Sequence, residues 1–226
     1  MTQAIAHRGE PVGHVENTEA AIRAAVDAGA GMVEIDVRLT ADRTPVLLHD
    51  ADLRRIWGVE ADLAALTADQ VAQLRGPTGE RIPTLAEVAG LAADSGVQLM
   101  VDLPAEDAGP VSYDLLTSAG IVDACLFAGF TGPLRQHAPK ARIALTWKEI
   151  HLPDEATLEF FRPEYFNPHF QLLTAGVADQ MHERGILISV WTVDHPRDMA
   201  AVIVQGADAV ISNRIAELIT VIGEQP

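Results

Sequence analysis

The stretch MVEIDVRLTADRTPVLLHD, residues 32–50, contains two apolar runs of strand length joined by the short link TADRT. A parallel connection takes about a dozen residues or more, so this link is too short for a crossover helix. PVLLH is therefore predicted to be the return arm of a hairpin. In the first run Glu34 and Asp36 alternate with aliphatic residues, and side chains two positions apart share one face of a strand. The two carboxylates thus point together, away from Val33 and Ile35.

Strand-length apolar runs alternate with helical patterns along the rest of the chain, which predicts a parallel sheet covered by helices. With the hairpin arm set aside, the other runs predict an α/β fold, a (β/α)₈ TIM barrel with a small hairpin or insertion after strand 2, in one domain over residues 1–226. An open doubly wound sheet is the alternative, disfavoured because HRGEPVG lacks the G-x-G-x-x-G spacing. The strand candidates are AIAHR, MVEIDVRLT, PVLLH, VQLMVDL, ACLFAGF, RIALTW, YFNPHF, LISVWTV and DAVIS.

Several helix ends can be predicted from capping residues. Asn17 is expected to cap a helix that ends at Gly29. Thr-x-x-Glu and Thr-x-x-Gln patterns are typical of capping boxes. They predict helices from Thr84 to about Gly96 and from Thr67 to Gly76, and later patterns predict helices over about 174–185, 196–206 and 214 to the C-terminus.

The charge of the chain restricts its partners. The formal net charge is −16, and the only lysines are Lys140 and Lys148. Such a chain repels polyanions, so nucleic acid and anionic membrane surfaces are predicted not to be partners. An anionic substrate would need positive charge supplied within the site, most simply by a divalent metal.

Two further features bear on location. No run approaches the roughly 18 apolar residues of a transmembrane helix, and no basic segment precedes a long apolar run as in a signal peptide. The single cysteine, Cys125, cannot form an internal disulfide, which is typical of a reducing compartment. A cytoplasmic protein without membrane insertion is predicted.

Acidic side chains are predicted to meet at one rim of the barrel. Barrel enzymes keep their sites at the C-terminal ends of the strands, where Glu34 and Asp36 would lie beside Asp102 of VQLMVDL. Carboxylates packed together in a dry pocket repel one another. A hard cation removes that penalty, because oxygen ligands are the ones it prefers. Glu34, Asp36 and Asp102 are therefore predicted to hold one divalent cation, Mg²⁺ or Ca²⁺.

Two histidines lie at the ends of apolar runs, His7 in AIAHR and His49 in PVLLH, so both can stand at the same rim. Imidazoles beside a metal suit chemistry at phosphorus, in which one removes a proton from the nucleophile and the other protonates the leaving oxygen. Arg8 is a candidate for a fork contact to phosphate. The remaining histidines have no acidic partner at ligand spacing in the sequence; they are His14, His137, His151, His169, His182 and His195.

These residues lie within a longer pattern: HRG, ENT, GAGMVEIDVRLTADRTPVLLHD, IPTLAEV, SVWTVD and GADAVISN. In that order and over nearly the whole chain, the sequence resembles the glycerophosphodiester phosphodiesterases, relatives of the phosphatidylinositol phospholipase C barrels. The resemblance implies a (β/α)₈ barrel, one divalent cation, and hydrolysis of a small-molecule glycerophosphodiester to glycerol 3-phosphate and an alcohol. It implies attack by the glycerol 2-hydroxyl through a cyclic phosphate.

The resemblance also assigns roles to single residues. It implies an acid–base pair of His7 and His49, metal ligands Glu34 and Asp36, a phosphate contact from Arg8, a pocket lining from Trp191, and a loop-shaping and capping role for Asn17. The chain departs from the family pattern in VDLP, where Asp102 stands for a glutamate and Pro104 for a lysine, and in SVWTVD, where Asp194 stands for an asparagine.

Two alternatives remain open from the sequence. One is a divergent member that binds or cleaves a different phosphodiester, with turnover lost in the extreme case. The missing lysine favours this alternative, and the two retained histidines oppose it. The other is a metal-dependent barrel lyase or isomerase, which needs neither a second histidine nor Arg8.

Overall fold

The computed structural model describes residues 2–224, in which strands and helices alternate as the sequence predicts. All nine strand candidates form strands. Their bounds are β1 (Gln3–His7), β2 (Met32–Leu39), β3 (Pro45–Leu47), β4 (Gln98–Leu103), β5 (Cys125–Gly129), β6 (Ala144–Trp147), β7 (Tyr165–Pro168), β8 (Leu187–Val190) and β9 (Ala209–Ser212).

Eight of these strands run parallel in the order β5-β4-β2-β1-β9-β8-β7-β6. A single parallel bridge from Phe127 to Ile143 brings β5 against β6, so the barrel is nearly closed. The remaining strand, β3, pairs antiparallel with β2. The TIM barrel and the hairpin after strand 2 are thus confirmed.

The helices lie outside the barrel. They are α1 (Glu19–Asp27), α2 (Arg54–Trp57), α3 (Ala68–Val71), α4 (Leu85–Ser95), α5 (Ala108–Ser118), α6 (Gly132–His137), α7 (Glu155–Phe161), α8 (Ala175–His182), α9 (Pro196–Val204) and α10 (Ile215–Gly223). The predicted continuation of the last helix to residue 226 lies outside the described residues. Within residues 2–224, no helix has both the length and the apolarity to cross a bilayer.

Capping chemistry sets several of these ends. Both predicted capping boxes are present, at Thr67 ahead of α3 and at Thr84 ahead of α4. The prediction that the first of these helices runs to Gly76 is wrong, because α3 ends at Val71 and the chain continues in turns. The prediction that Asn17 caps α1 is also wrong. Thr18 is the N-cap, and its side chain accepts from the backbone N–H of Ala21.

The segment between β3 and α4 forms a small satellite of the barrel. It contains α2, α3 and a 3₁₀ turn at Leu63–Ala65. Its apolar side chains pack into a separate cluster around Leu53 and Trp57. This packing holds the C-terminal end of β3, and therefore His49, against the rim of the barrel.

The alternation in β2 separates two apolar layers. Val33 and Ile35 pack in the large cluster between strands and helices. Met32 and Met100 belong to a smaller cluster inside the barrel, which fills its centre as expected for this fold. Glu34 and Asp36 lie on the interior face above that layer, as the strand period predicts.

Candidate active site

The C-terminal ends of the strands surround a pocket of about 290 Å³. All of the site residues predicted from the sequence line it: His7, Arg8, Glu34, Asp36, His49, Asp102 and Trp191. Residues from β1, β2, β4 and the end of the β3 arm are thus brought to one place.

Three carboxylates form the floor of this pocket. Register pairs Asp36 of β2 with Asp102 of β4, and Glu34 lies one layer below. One oxygen from each of the three acids lies within 4.8 Å of the others, and this is the only such group of metal-ligating side chains among residues 2–224. The strand β4 ends at Leu103, ahead of Pro104, which has no backbone N–H to donate within a sheet.

Burial and repulsion raise the pKa of two of these acids, Glu34 and Asp102. Burial raises the pKa of Glu34 well above its ordinary value, and the negative charges of Asp36 and Asp102 raise it further. Burial and Asp36 raise the pKa of Asp102 to about 7. Oxygen-only donors crowded at this spacing are the ligands that Mg²⁺ and Ca²⁺ prefer, and a cation would remove the repulsion. The residues present therefore fit a divalent cation.

The HRG turn places a backbone donor against this cluster. Arg8 and Gly9 both have positive φ, +59° and +87°. At Gly9 a Cβ would lie 2.6 Å from the carbonyl carbon of Ala21, so only glycine fits against α1. The turn directs the N–H of Arg8 to Oε2 of Glu34 at 2.9 Å.

The side chain of Arg8 is held by acids. Its Nη1 donates to Glu16 at 2.9 Å. Its Nε lies 3.0 Å from Oδ2 of Asp36, but the angle does not allow a hydrogen bond, so this contact is an ion pair. Arg8 lines the pocket as predicted, yet much of its charge faces carboxylates of the protein.

Asn17 acts on a carboxylate and not on a helix end. Its Nδ2 donates to Oδ2 of Asp36 at 2.8 Å, and its Oδ1 accepts from the backbone N–H of Asp36 at 3.1 Å. The side chain is buried and its φ is +56°. Asn17 therefore fixes the orientation of Asp36, a role that no pattern in the sequence indicates.

His7 stands at the end of β1 with a mostly buried side chain, 18% exposed. Its Nδ1 lies 2.8 Å from Oδ1 of Asn213, and its Nε2 lies 3.9 Å from Oε2 of Glu34. Burial, and then the positive charge of Arg8, lower the pKa of His7. The ring is therefore neutral at neutral pH, with Nε2 directed at the acidic cluster.

His49 has a different environment. Its side chain is 42% exposed, and its Nδ1 lies 2.7 Å from Oδ1 of Asp50. Asp50 accepts a second bond from Arg55, which also donates to Glu16. Partial burial acts to raise the pKa of Asp50, but the hydrogen bonds from Arg55 and His49 hold it below its ordinary value. His49 thus lies against a carboxylate, whereas His7 lies against an amide.

An aromatic wall and a lysine complete the pocket. The indole Nε1 of Trp191 donates to the backbone oxygen of Asn167 at 3.0 Å, and Nζ of Lys148 lies 5.4 Å from the centre of the indole ring. Lys148 follows β6 and lines the pocket. No motif in the sequence points to a role for Lys148, although it is one of only two lysines in the chain.

The other histidines lie elsewhere, and three of them have acidic partners that the sequence did not reveal. These pairs are His14 with Glu10, His137 with Asp114 and His182 with Asp208. Each is a single pair outside the pocket.

Comparison with known proteins decides the family. Residues 7–217 match the glycerophosphoryl diester phosphodiesterase family. The chain belongs to that family. This phosphodiesterase is accordingly a phosphoric diester hydrolase of the glycerophosphodiester type.

Individual relatives share the length and the fold of this phosphodiesterase. A glycerophosphodiester phosphodiesterase of Caldanaerobacter subterraneus subsp. tengcongensis is 26% identical over 98% of both chains. The crystal structure of a glycerophosphodiester phosphodiesterase from Parabacteroides distasonis gives a TM-score of 0.86 at 24% identity, covering 98% of this chain and 97% of that one. A phosphodiesterase of Oleispira antarctica, solved with the product sn-glycerol-3-phosphate, gives 0.86 at 23% identity, with 99% and 98% covered.

Proposed function

We propose that this phosphodiesterase hydrolyses small glycerophosphodiesters to glycerol 3-phosphate and an alcohol, with His7 as base, His49 as acid and one divalent cation held by Glu34, Asp36 and Asp102. One observation supports the proposal above the others. Both imidazoles are hydrogen-bonded through Nδ1, so both offer Nε2 to a pocket that also contains the three carboxylates. Sn-glycerol-3-phosphate is the product bound by the Oleispira phosphodiesterase of the same fold.

The environments of the two histidines support their separate roles. The ring of His7 is buried and its Nδ1 lies against an amide oxygen, so Nε2 can accept a proton. We assign the acid role to His49, whose Nδ1 lies against the carboxylate of Asp50. In the first step Nε2 of His7 takes the proton of the glycerol 2-hydroxyl, whose oxygen attacks phosphorus. His49 gives its proton to the leaving alcohol oxygen as the P–O bond breaks.

The second step restores both histidines. His49, now neutral, takes a proton from a water molecule, and the oxygen of that water attacks the cyclic phosphate. His7 returns its proton to the 2-oxygen, which leaves phosphorus. A divalent cation in the acidic cluster would offset charge on the phosphoryl oxygens. Arg8 and Asn17 keep the carboxylates oriented throughout.

The first experiment is an assay with glycerophosphocholine and glycerophosphoethanolamine, with and without added Mg²⁺ or Ca²⁺, detecting glycerol 3-phosphate. The proposal expects cation-dependent release of glycerol 3-phosphate. Binding of either diester without turnover would favour the alternative of a divergent member. Elimination or isomerisation of a carboxylate substrate would favour the lyase or isomerase alternative.

A second prediction tests the internal nucleophile. We expect a diester whose glycerol 2-hydroxyl is replaced by hydrogen to bind as a competitive inhibitor but to turn over at least about 100-fold more slowly, because the oxygen that His7 activates is missing. Initial rates for the matched pair of substrates provide the measurement. Equal rates would make water the direct nucleophile and remove the cyclic phosphate from the mechanism.

Pro104 stands where the family has a lysine, and Lys148 brings a positive charge to the same pocket from another strand. It is close enough to Asp102 to act against the raised pKa of that acid, although burial and Asp36 outweigh it. Arg8 is already paired with carboxylates. We therefore propose that Lys148 contacts the phosphate of the substrate from the end of β6.

We expect Lys148→Ala to raise KM about fivefold and to leave kcat within about twofold of wild type. The reason is that an exposed ion pair contributes roughly 1 kcal/mol, and this one would bind the ground state and the transition state equally. Lys140→Ala is the matched control, because it removes the other lysine from the turn ahead of β6, at the opposite end of the barrel. Pro104→Lys in the Lys148→Ala background should lower KM again. An unchanged KM for Lys148→Ala would contradict the assignment.

A further inference from the structure

Asp194 and Asn213 lie behind His7 at the ends of two neighbouring strands. Asp194 follows β8, and Asn213 follows β9. Oδ1 of Asp194 accepts from the backbone N–H of Asn213 at 2.8 Å and from the hydroxyl of Ser212 at 3.1 Å. Its Oδ2 accepts from the side-chain Nδ2 of Asn213 at 2.7 Å. The mechanism proposed above uses neither residue.

These contacts fix the orientation of the Asn213 amide. A carboxylate offers only acceptors, so the NH₂ group of Asn213 must face Asp194. The amide oxygen then has to face the opposite side, where it lies 2.8 Å from Nδ1 of His7. An amide oxygen cannot donate, so the hydrogen between them must belong to His7.

From this chain of contacts we propose that Asp194 and Asn213 are positioning residues that hold His7 in the tautomer with its hydrogen on Nδ1. The lone pair of Nε2 is then free on the pocket side, where a base must accept its proton. The carboxylate acts through the amide, and neither residue reaches the reacting atoms. The inference rests on the proposed function for its kinetic consequence, but the tautomer itself can be measured without substrate.

The geometry predicts a reversal of the tautomer in Asp194→Asn. The position of Oδ1 must remain an oxygen, because a backbone N–H and a hydroxyl both point at it. The new amide nitrogen therefore replaces Oδ2 and faces the NH₂ of Asn213. Two donors cannot pair, so the Asn213 amide turns over, presents its NH₂ to His7 and leaves Nδ1 as the acceptor. The hydrogen moves to Nε2, where it blocks the base.

The test is ¹⁵N NMR of the histidine ring nitrogens in the full-length enzyme, with the His7 signals assigned by their loss in His7→Ala. We expect wild type to show hydrogen on Nδ1 and Asp194→Asn to show it on Nε2. With glycerophosphocholine as substrate, Asp194→Asn should lower kcat at least about tenfold, as for other ligand-orienting partners, and leave KM within about twofold.

The reciprocal exchange Asp194→Asn with Asn213→Asp should restore both readouts. In that variant the amide at position 194 donates to the carboxylate at position 213, and this carboxylate accepts from Nδ1 of His7. Restored kcat together with hydrogen on Nδ1 supports the positioning role, because a merely structural defect would not be repaired by moving the charge. If the exchange restores neither the tautomer nor kcat, the positioning role is overturned.

Ser212→Ala is the matched control. It removes a hydrogen bond to the same carboxylate but leaves the path from Asp194 to His7 intact, so we expect lower stability with an unchanged tautomer and kcat. If Asp194→Asn does not fold, Asn213→Ala cuts the path beside the ring, and loss of the fixed Nδ1–H tautomer is the supporting outcome.

A wild-type tautomer with hydrogen on Nε2, or an Asp194→Asn spectrum identical to wild type, would overturn the inference whatever the activity. An enzyme with no diesterase activity but with the expected tautomer reversal would contradict the proposed function and leave the positioning of His7 standing.

Discussion

We expect a chelator to abolish turnover of glycerophosphodiesters. Added Mg²⁺ or Ca²⁺, at a free concentration of 100 times its Kd, should restore turnover. Cation at that level would stabilise the fold by about 2.7 kcal/mol. For a chain of this size that corresponds to a rise in Tm of roughly 5–11 °C. The reason is the crowding of Glu34, Asp36 and Asp102 within 4.8 Å. Differential scanning calorimetry and the diesterase assay measure the two effects separately.

The acidic cluster also gives this prediction a pH dependence. The folded-state pKa of Asp102 is raised to about 7 by burial and by Asp36, above the roughly 3.9 of an unfolded chain. Between these values the folded state holds a proton that the unfolded state has released. In chelator, the stability due to protonated Asp102 is thus present below about pH 4 and lost as pH rises to about 7. Added cation should reduce that loss.

Asp102→Asn sharpens the test, because it removes the repulsion and one charged ligand together. At pH 8 in chelator we expect this variant to melt at a higher temperature than wild type, and to gain less from added cation. Its kcat should fall at least about 100-fold. Asp123→Asn, which removes one negative charge ahead of β5 at the far end of the barrel, is the control. Full activity of wild type in excess chelator would refute the metal site.

The second large effect is expected from the two histidines. His7→Ala and His49→Ala should each lower kcat by at least about 100-fold, since each removes one proton transfer from the reaction. The rate against pH should be bell-shaped in wild type, because one ring must be neutral and the other protonated. Steady-state kinetics on both variants and a pH profile for wild type provide the measurement.

A change of leaving group separates the two roles. Glycerol phosphate esterified to 4-nitrophenol needs little protonation of its leaving oxygen. We expect this ester to recover most of the lost rate in His49→Ala but none of it in His7→Ala. Recovery in His7→Ala alone would exchange the assignments, and recovery in both would remove acid catalysis from the mechanism.

His182→Ala controls for loss of an imidazole. His182 forms the same kind of pair, with Nε2 lying 2.8 Å from Oδ2 of Asp208, but ahead of β8 and β9 and therefore at the opposite end of the barrel. His14→Ala is a second control, in the loop after β1. We expect near wild-type rates from both. A loss comparable to that of His49→Ala in either would show that the assay reports damage to the fold.

Much of the barrel follows from local sequence patterns. Period-two alternation in β2 decides that Glu34 and Asp36 face the interior, and the short TADRT link decides that β3 turns back antiparallel. Capping boxes at Thr67 and Thr84 locate helix starts. The ends of the helices do not all follow from such patterns. For example, α3 ends at Val71, well before Gly76, the glycine taken as its end in the sequence.

The sequence by itself determined which residues reach the rim, because the end of a parallel strand is visible as the end of an apolar run. His7, Arg8, Glu34, Asp36, His49, Asp102 and Trp191 all line one pocket. Their roles in binding and catalysis remain predictions. The cap assigned to Asn17 was wrong, since a local pattern cannot show that its amide turns instead to Asp36 on the neighbouring strand.

Only the tertiary structure decided what holds these groups. The contact between His7 and Asn213 joins residues 206 positions apart and forms because β1 lies beside β9. Asp194 appears in the sequence as one more negative charge near the rim, yet in the fold its oxygens are taken up by Asn213 and Ser212. Lys148 likewise reaches the pocket only because the order of the strands in the barrel brings the end of β6 near the ends of the other strands. Strand pairing between the two ends of the chain sets these partners, and no pattern within a single strand encodes them.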